Sequence, residues 1–103
     1  MIHICICDDS DAMRDELCGL IQELCQKHSI AASVSCCSSG EELLFDPDDK
    51  NRTTDIFFLD ILMKKLNGIE TAARLRAINP TAQIIFLTVS KEHVFEALDV
   101  MPL

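Results

Sequence analysis

The 103-residue sequence predicts an α/β fold, a parallel sheet with crossover helices, and three observations carry that prediction. Short apolar runs alternate with stretches of helical periodicity along the whole chain. The two clearest runs, residues 2–7 and 55–59, are nearly continuous in apolar residues, as strands buried on both faces are. Each of them ends on acid, Asp8-Asp9 after the first and Asp60 after the second.

The elements follow in order. Residues 2–7 are interrupted only by His3, which reads as a packing or surface histidine within the first strand. Behind Asp8-Asp9-Ser10, the residues Met13, Leu17, Leu20, Ile21 and Leu24 recur at helical spacing, with polar residues between them. Ser10 or Asp11 caps that helix, because either side chain can accept from a free backbone N–H of the first turn. His28-Ser29 ends it. Residues 30–36 form a weaker strand, diluted by Ser33 and Ser35. Ser38 or Ser39 then caps a short helix over residues 41–45, whose glutamates sit at the positive helix end. The polar stretch 46–54, with Pro47, reads as a loop. After the strand at 55–59, residues 61–66 connect to Asn67-Gly68, a turn in which Gly68 is free to take positive φ. A helix over 69–78 stops at Asn79-Pro80, and a fourth strand covers 83–87. Thr88 ends that strand, and Ser90 caps a last helix carrying Val94 and Leu98.

Composition narrows the function. One domain is expected over residues 1–103, since single cores commonly occupy about 100–150 residues. Seventeen acidic against nine basic residues give a net charge of −8, which disfavours direct binding of nucleic acid. No apolar run approaches the roughly 20 residues that span a bilayer, and Asp8-Asp9 breaks the first run too early for a signal peptide. A cytoplasmic chain with no membrane partner is therefore expected. The six cysteines, Cys5, Cys7, Cys18, Cys25, Cys36 and Cys37, include no C-x-x-C pair and no zinc-like spacing. They read as reduced thiols that pack like small hydrophobes. Met13, Met63 and Met101 read as core or surface apolar residues.

The chemistry lies at the strand ends. In a parallel α/β sheet, ligands bind beyond the carboxyl ends of the strands, where strand order reverses. Asp8, Asp9 and Asp60 all fall there, and they converge if their two strands are neighbours. Two like charges about 5 Å apart repel by roughly 3 kcal/mol at an effective dielectric near 20. Three together call for a cation, a raised pKa or a covalent role. Oxygen-rich clusters of few protein ligands suit Mg²⁺.

This order of acids and hydroxyl resembles the receiver domain of two-component response regulators. The matching residues are Cys7-Asp8-Asp9-Ser10, Phe58-Leu59-Asp60-Ile61-Leu62-Met63, Asn67-Gly68-Ile69-Glu70 and Ile85-Phe86-Leu87-Thr88. The segment 83–100 is also similar to receivers attached to LytTR-type DNA-binding domains. The resemblance implies a flavodoxin-like (CheY-like) three-layer sandwich with strand order 2-1-3-4. It implies Asp60 as phosphoacceptor from a sensor histidine kinase, and Mg²⁺ positioned by Asp8, Asp9, Asp60 and the main-chain carbonyl of Leu62. It also implies Thr88 as the switch hydroxyl, and DNA reached only through an output domain outside this chain.

Some residues depart from the family pattern. Lys64 and Lys65 stand where members usually carry proline and often glycine, which leaves the loop less rigid, and Val89 replaces a small residue. A fifth strand with its lysine and a fifth helix are expected to be missing, and Lys91 is in the wrong place for that role. Strand four would then be an unpaired edge, so a homodimer through that edge or by element exchange is expected. Three alternatives stand beside this reading. One is a receiver-like interaction module without phosphorylation. Another is a haloacid-dehalogenase-type enzyme, disfavoured because Asp60-Ile61-Leu62 lacks the Asp-x-Asp pattern. The third is a thiol redox protein, disfavoured by the missing C-x-x-C.

Overall fold

A computed structural model describes residues 1–87 of the chain. Four strands, β1 (Ile2–Cys7), β2 (Ala32–Cys37), β3 (Ile56–Leu59) and β4 (Gln83–Phe86), form one parallel sheet in the order β2-β1-β3-β4. Helix α1 (Asp11–Lys27) covers one face, while α2 (Gly40–Leu44) and α3 (Gly68–Ile78) lie together on the other. This is the flavodoxin-like architecture that the alternation of patterns predicts. The predicted fourth-strand terminus Thr88 and the last helix lie outside the described residues, as does Met101.

Alternation along the central strands sorts the core into two layers, because successive strand side chains point to opposite faces. Cys5, Cys7, Phe57, Leu59 and Ile84 pack with Leu43, Met63, Ala72 and Leu75 beneath α2 and α3. Ile4, Ile6 and Ile21 form the layer beneath α1, with Leu17 and Phe58 beside them. Burying each large aliphatic or aromatic side chain contributes roughly 1.5–3 kcal/mol. The outer part of α1 contributes little of this. Met13, Leu20 and Leu24 stay exposed, so Ile21 alone of the predicted apolar stripe is buried.

The helix starts follow their caps. Ser10 accepts from the Met13 N–H at 3.3 Å, and Ser39 accepts from the Glu42 N–H at 3.0 Å. Asn67 and Glu70 form a reciprocal capping box at the start of α3. Most predicted boundaries move by one residue, and two differences are larger. The second strand begins at Ala32 rather than Ile30, and the predicted loop 46–54 contains a 3₁₀ turn at Lys50–Arg52.

Gly68 corrects the sequence reading. No glycine takes positive φ; in this loop it is Lys65 that does, at φ 56. Gly68 is needed for close approach instead, because a Cβ there would lie 2.2 Å from the Asp60 carbonyl oxygen. The absent side chain lets the first residue of α3 lie directly on the end of β3.

Asn79 also does more than stop a helix. Its buried side-chain amide donates to the carbonyls of Asn51 and Thr54, at 2.8 and 2.9 Å, and its Oδ1 accepts from the Ala82 N–H. It thereby ties the chain before β3 to the chain before β4.

Two outcomes are expected. Gly68→Ala should lower stability by about 1–3 kcal/mol in urea titration, the usual cost of forcing a group into filled space. The second concerns acid. Hydrogen bonds from the Ser38 hydroxyl and N–H hold the Glu42 carboxyl below its ordinary value of 4.5. A depressed folded pKa gives stability that is present above the unfolded value and lost as pH falls through the folded one. Glu42→Gln should therefore flatten the loss of stability below pH 4.5 in thermal melts across pH.

Candidate functional site

The parallel register builds the site. Cys7 pairs with Leu59, so the next residue of each strand, Asp8 and Asp60, emerges side by side at the carboxyl edge of the sheet. The Asp60 N–H donates to the Cys7 carbonyl at 2.9 Å, and the Asp8 N–H donates to the Cys37 carbonyl at 3.2 Å. These bonds fix both backbones. Asp8 and Asp60 are buried while Asp9 is exposed, and one carboxylate oxygen from each lies within 4.8 Å of the others. Sequence reasoning placed these three acids together only on the condition that their strands were neighbours. The structure meets that condition.

Each buried acid is oriented locally. Asp8 Oδ1 accepts from the Ser10 N–H at 2.9 Å, which couples the acid to the first turn of α1. Asp60 Oδ1 accepts from the Leu62 N–H at 3.1 Å, which brings the Leu62 backbone to the site. Arg14 was missed by sequence reasoning: its guanidinium donates to the Asp8 carbonyl at 2.9 Å and pairs with Asp11. Its only signal was its place one turn into the helix that follows the acids.

Below the acids lies a neutral floor. Cys7 is fully buried, and burial first, then the negative groups of Cys37, Glu42, Asp8 and Asp60, push its thiol up to about 12. It stays protonated and donates to Met63 Sδ at 3.7 Å. Met63, predicted as core or surface, is core.

The loop after Asp60 is held without the proline of the family pattern. The N–H groups of Met63 and Gly68 both donate to the Ile61 carbonyl, at 3.1 and 3.0 Å. The Leu66 N–H donates to Glu41 Oε1 at 2.9 Å, and this bond holds the Glu41 carboxyl below its ordinary value. Hydrogen bonds thus hold the loop at several points. Lys64 and Lys65 line a shallow cavity of about 250 Å³ together with Asp9, Ser38 and Ser39. The Leu87 N–H donates to the Leu59 carbonyl at 2.9 Å, so the chain reaches the same edge; Thr88 lies outside the described residues.

The response regulator receiver domain family matches residues 4–101 of the sequence. The chain belongs to this family. It is 26% identical over 99 residues to the sensory transduction protein LytT of Enterococcus faecalis. It is 33% identical over 99 residues to the positive alginate biosynthesis regulatory protein of Pseudomonas aeruginosa. Each alignment covers 96% of this chain and 38% of the relative, so the chain spans about two fifths of the length of these regulators. Among solved structures, the chemotaxis protein CheY4 of Vibrio cholerae superposes with a TM-score of 0.77 at 21% identity. That match covers 97% of this chain and 80% of the other. The receiver domain of the histidine kinase CKI1 from Arabidopsis thaliana, complexed with Mg²⁺ and BeF₃⁻, gives 0.76 at 19% identity. It covers 96% of this chain and 75% of the other. The chain is thus a receiver domain of a two-component response regulator, a signalling module rather than an enzyme of the usual kind. Receiver domains interact with histidine kinases. Among the described residues, no helix is long and apolar enough to cross a membrane.

Close packing of the three carboxylates has a measurable cost. Like charges about 5 Å apart repel by roughly 3 kcal/mol at an effective dielectric near 20. Asp60→Asn, which keeps an acceptor for the Leu62 N–H, should therefore raise the melting temperature in chelator-containing buffer. A gain of about 1 kcal/mol would appear as roughly 4–8 °C for a domain of this size.

Proposed function

We propose that this receiver takes a phosphoryl group from a histidine kinase onto Asp60, in the presence of Mg²⁺ held by Asp8, Asp9, Asp60 and the main-chain carbonyl of Leu62. The observation that carries the reading is the convergence of three carboxylates, two of them buried, at the sheet edge. An all-oxygen donor set with few protein ligands fits Mg²⁺, which keeps waters and binds phosphate alongside one or two carboxylates. The Mg²⁺ and BeF₃⁻ in the CKI1 receiver support the same assignment. Such an ion supplies neutralisation of the charge that gathers between Asp60 and the phosphoryl group.

The chain's own residues supply position. Asp60 presents one carboxylate oxygen to phosphorus while its Oδ1 is held by the Leu62 N–H. As the oxygen–phosphorus bond forms, the bond from phosphorus to the donor imidazole breaks, and its electron pair stays on nitrogen. Positioning dominates phosphoryl transfer, so the fixed backbones of Asp8 and Asp60 are the main protein contribution. The neutral Cys7 thiol beneath them adds no further negative charge. Thr88 is the proposed switch hydroxyl. Its place immediately after Leu87, which bonds to the end of β3, supports this role.

The reading extends to a cytoplasmic regulator that reaches DNA only through an output domain outside this chain, in keeping with the similarity of residues 83–100 to receivers attached to LytTR-type DNA-binding domains. A homodimer through the sheet edge or by element exchange is proposed on the outer place of β4 among the described strands and the exposed Ile85. A concentration-independent monomer in sedimentation would remove that part.

Intact-mass spectrometry after incubation with Mg²⁺ and a small phosphoryl donor tests the central reading. The parent should gain one phosphoryl adduct, and Asp60→Asn should gain none. The absence of an adduct on folded parent protein that binds Mg²⁺ would overturn it and leave a receiver-like interaction module.

A further inference from the structure

The acids occupy the carboxyl end of the sheet, and the opposite end holds a cavity of its own. Strand residues advance by about 3.3 Å each, so His3 lies roughly 16 Å along β1 from Asp8. A cavity of about 310 Å³ opens there, the size at which sites for small ligands begin. Its floor comes from the sheet. His3 pairs with Ser33 and Cys5 with Ser35 in the β1–β2 register, which sets His3, Ser33 and Ser35 on one face. Its wall comes from the loop before β3, through Lys50, Thr53 and Thr54. Hydrogen bonds fix that wall. The Thr53 and Thr54 hydroxyls donate to the Lys50 carbonyl at 3.2 and 3.0 Å, and the buried Asn79 amide donates to the Asn51 and Thr54 carbonyls.

We infer that this cavity binds a small tetrahedral oxyanion of the phosphate class, with Lys50 as its charged partner and His3 and Ser33 as further donors. Among the described residues the ion pairs are Arg14–Asp11 and Arg52–Asp49, so no carboxylate pairs with the Lys50 ammonium. No carboxylate lines the cavity, in a chain that carries a net charge of −8. Acids of the adjoining segments are engaged by backbone. Asp55 Oδ2 accepts from the His3 N–H at 2.8 Å. Asp46 and Asp48 line a neighbouring cavity that Lys50 also borders, and Asp46 Oδ2 accepts from the Asn51 N–H at 2.6 Å.

The donor set fits such an ion. An ammonium offers three N–H donors, and an imidazole offers at least one in either charge state. Neither the His3 ring nor the Ser33 hydroxyl has a hydrogen-bond partner among the described residues, and Lys50, His3 and Ser33 are all exposed to entering solutes. Donors from the sheet floor and from the loop wall suit an anion with oxygens on several sides, whereas a carboxylate offers two in one plane. Ser35, Thr53 and Thr54 donate their hydrogens to main-chain carbonyls, so their oxygens can accept from the P–O–H of a hydrogen phosphate. The site is separate from the acids and stands whether or not Asp60 accepts a phosphoryl group.

The test titrates the full ¹⁵N-labelled chain with inorganic phosphate at fixed pH and ionic strength, in chelator, and follows backbone amide shifts by NMR. The parent should show saturable shifts confined to amides of residues 3, 33–35 and 50–54. Lys50→Gln should weaken binding at least about tenfold and Ser33→Ala about threefold, the losses expected for a charged and a neutral hydrogen-bond partner. Arg52→Gln removes the same charge from the same loop outside the cavity and should bind as the parent does. Acetate should bind more weakly than phosphate. Spectral dispersion checks each fold, and if Lys50→Gln does not fold, Lys50→Met and Ser33→Ala decide. The proposal is overturned if the parent shows no saturable shift, if Lys50→Gln binds like the parent or if Arg52→Gln loses as much. It is equally overturned if acetate binds as tightly, or if the shifts centre on residues 8–10 instead.

Discussion

The parallel pairing of β1 with β3 is the interaction on which the rest of this structure depends. Cys7 opposite Leu59, closed by the Asp60 N–H to the Cys7 carbonyl, sets the level at which both strands end. A shift by one residue would turn every side chain to the other face. Phe57 and Leu59 would then leave the layer under α2 and α3, and Asp60 would no longer stand beside Asp8. Core packing and site geometry are therefore enforced by the same register. The apolar burial that stabilises the sheet offsets the repulsion among the acids that it brings together.

Around that pairing, small local devices hold the acids in place. Ser10 caps α1 through its side chain while its N–H orients Asp8, so one residue serves both helix start and site. Gly68 lets α3 begin on top of the Asp60 carbonyl, and the Asn67–Glu70 capping box fixes where that helix starts. The Ile61 carbonyl accepts two N–H groups and folds the intervening loop back on itself. In this way hydrogen bonds hold the loop that carries Lys64-Lys65.

The cysteines show the same economy of placement. Cys7 is a neutral packing group at the floor of the acid site, kept protonated by burial and by the acids above it. Cys37 sits on the same face on the outer strand β2, and a cavity there is lined by it and by Cys5 of β1. The thiols thus differ in consequence through position in the sheet, although a count of cysteines treats them alike.

Much of this protein was legible in its residues alone. Apolar runs broken by helical periodicity determined the α/β class and all four described strands, because burial imposes its period directly on residue type. Serines before Glu42 and Met13 announced their caps, since capping is a contact within one turn. Asp8, Asp9 and Asp60 were legible as strand-end acids, but their meeting within 4.8 Å was decided only by which strands became neighbours. Gly68 looked like a turn glycine and proved to be a contact glycine, because it is brought against the Asp60 backbone by a loop whose path no local pattern specifies. The partners of Asn79 and Arg14 were invisible for the same physical reason. Each acts on a partner set by tertiary packing, and a residue's type does not reveal what the fold will bring to it.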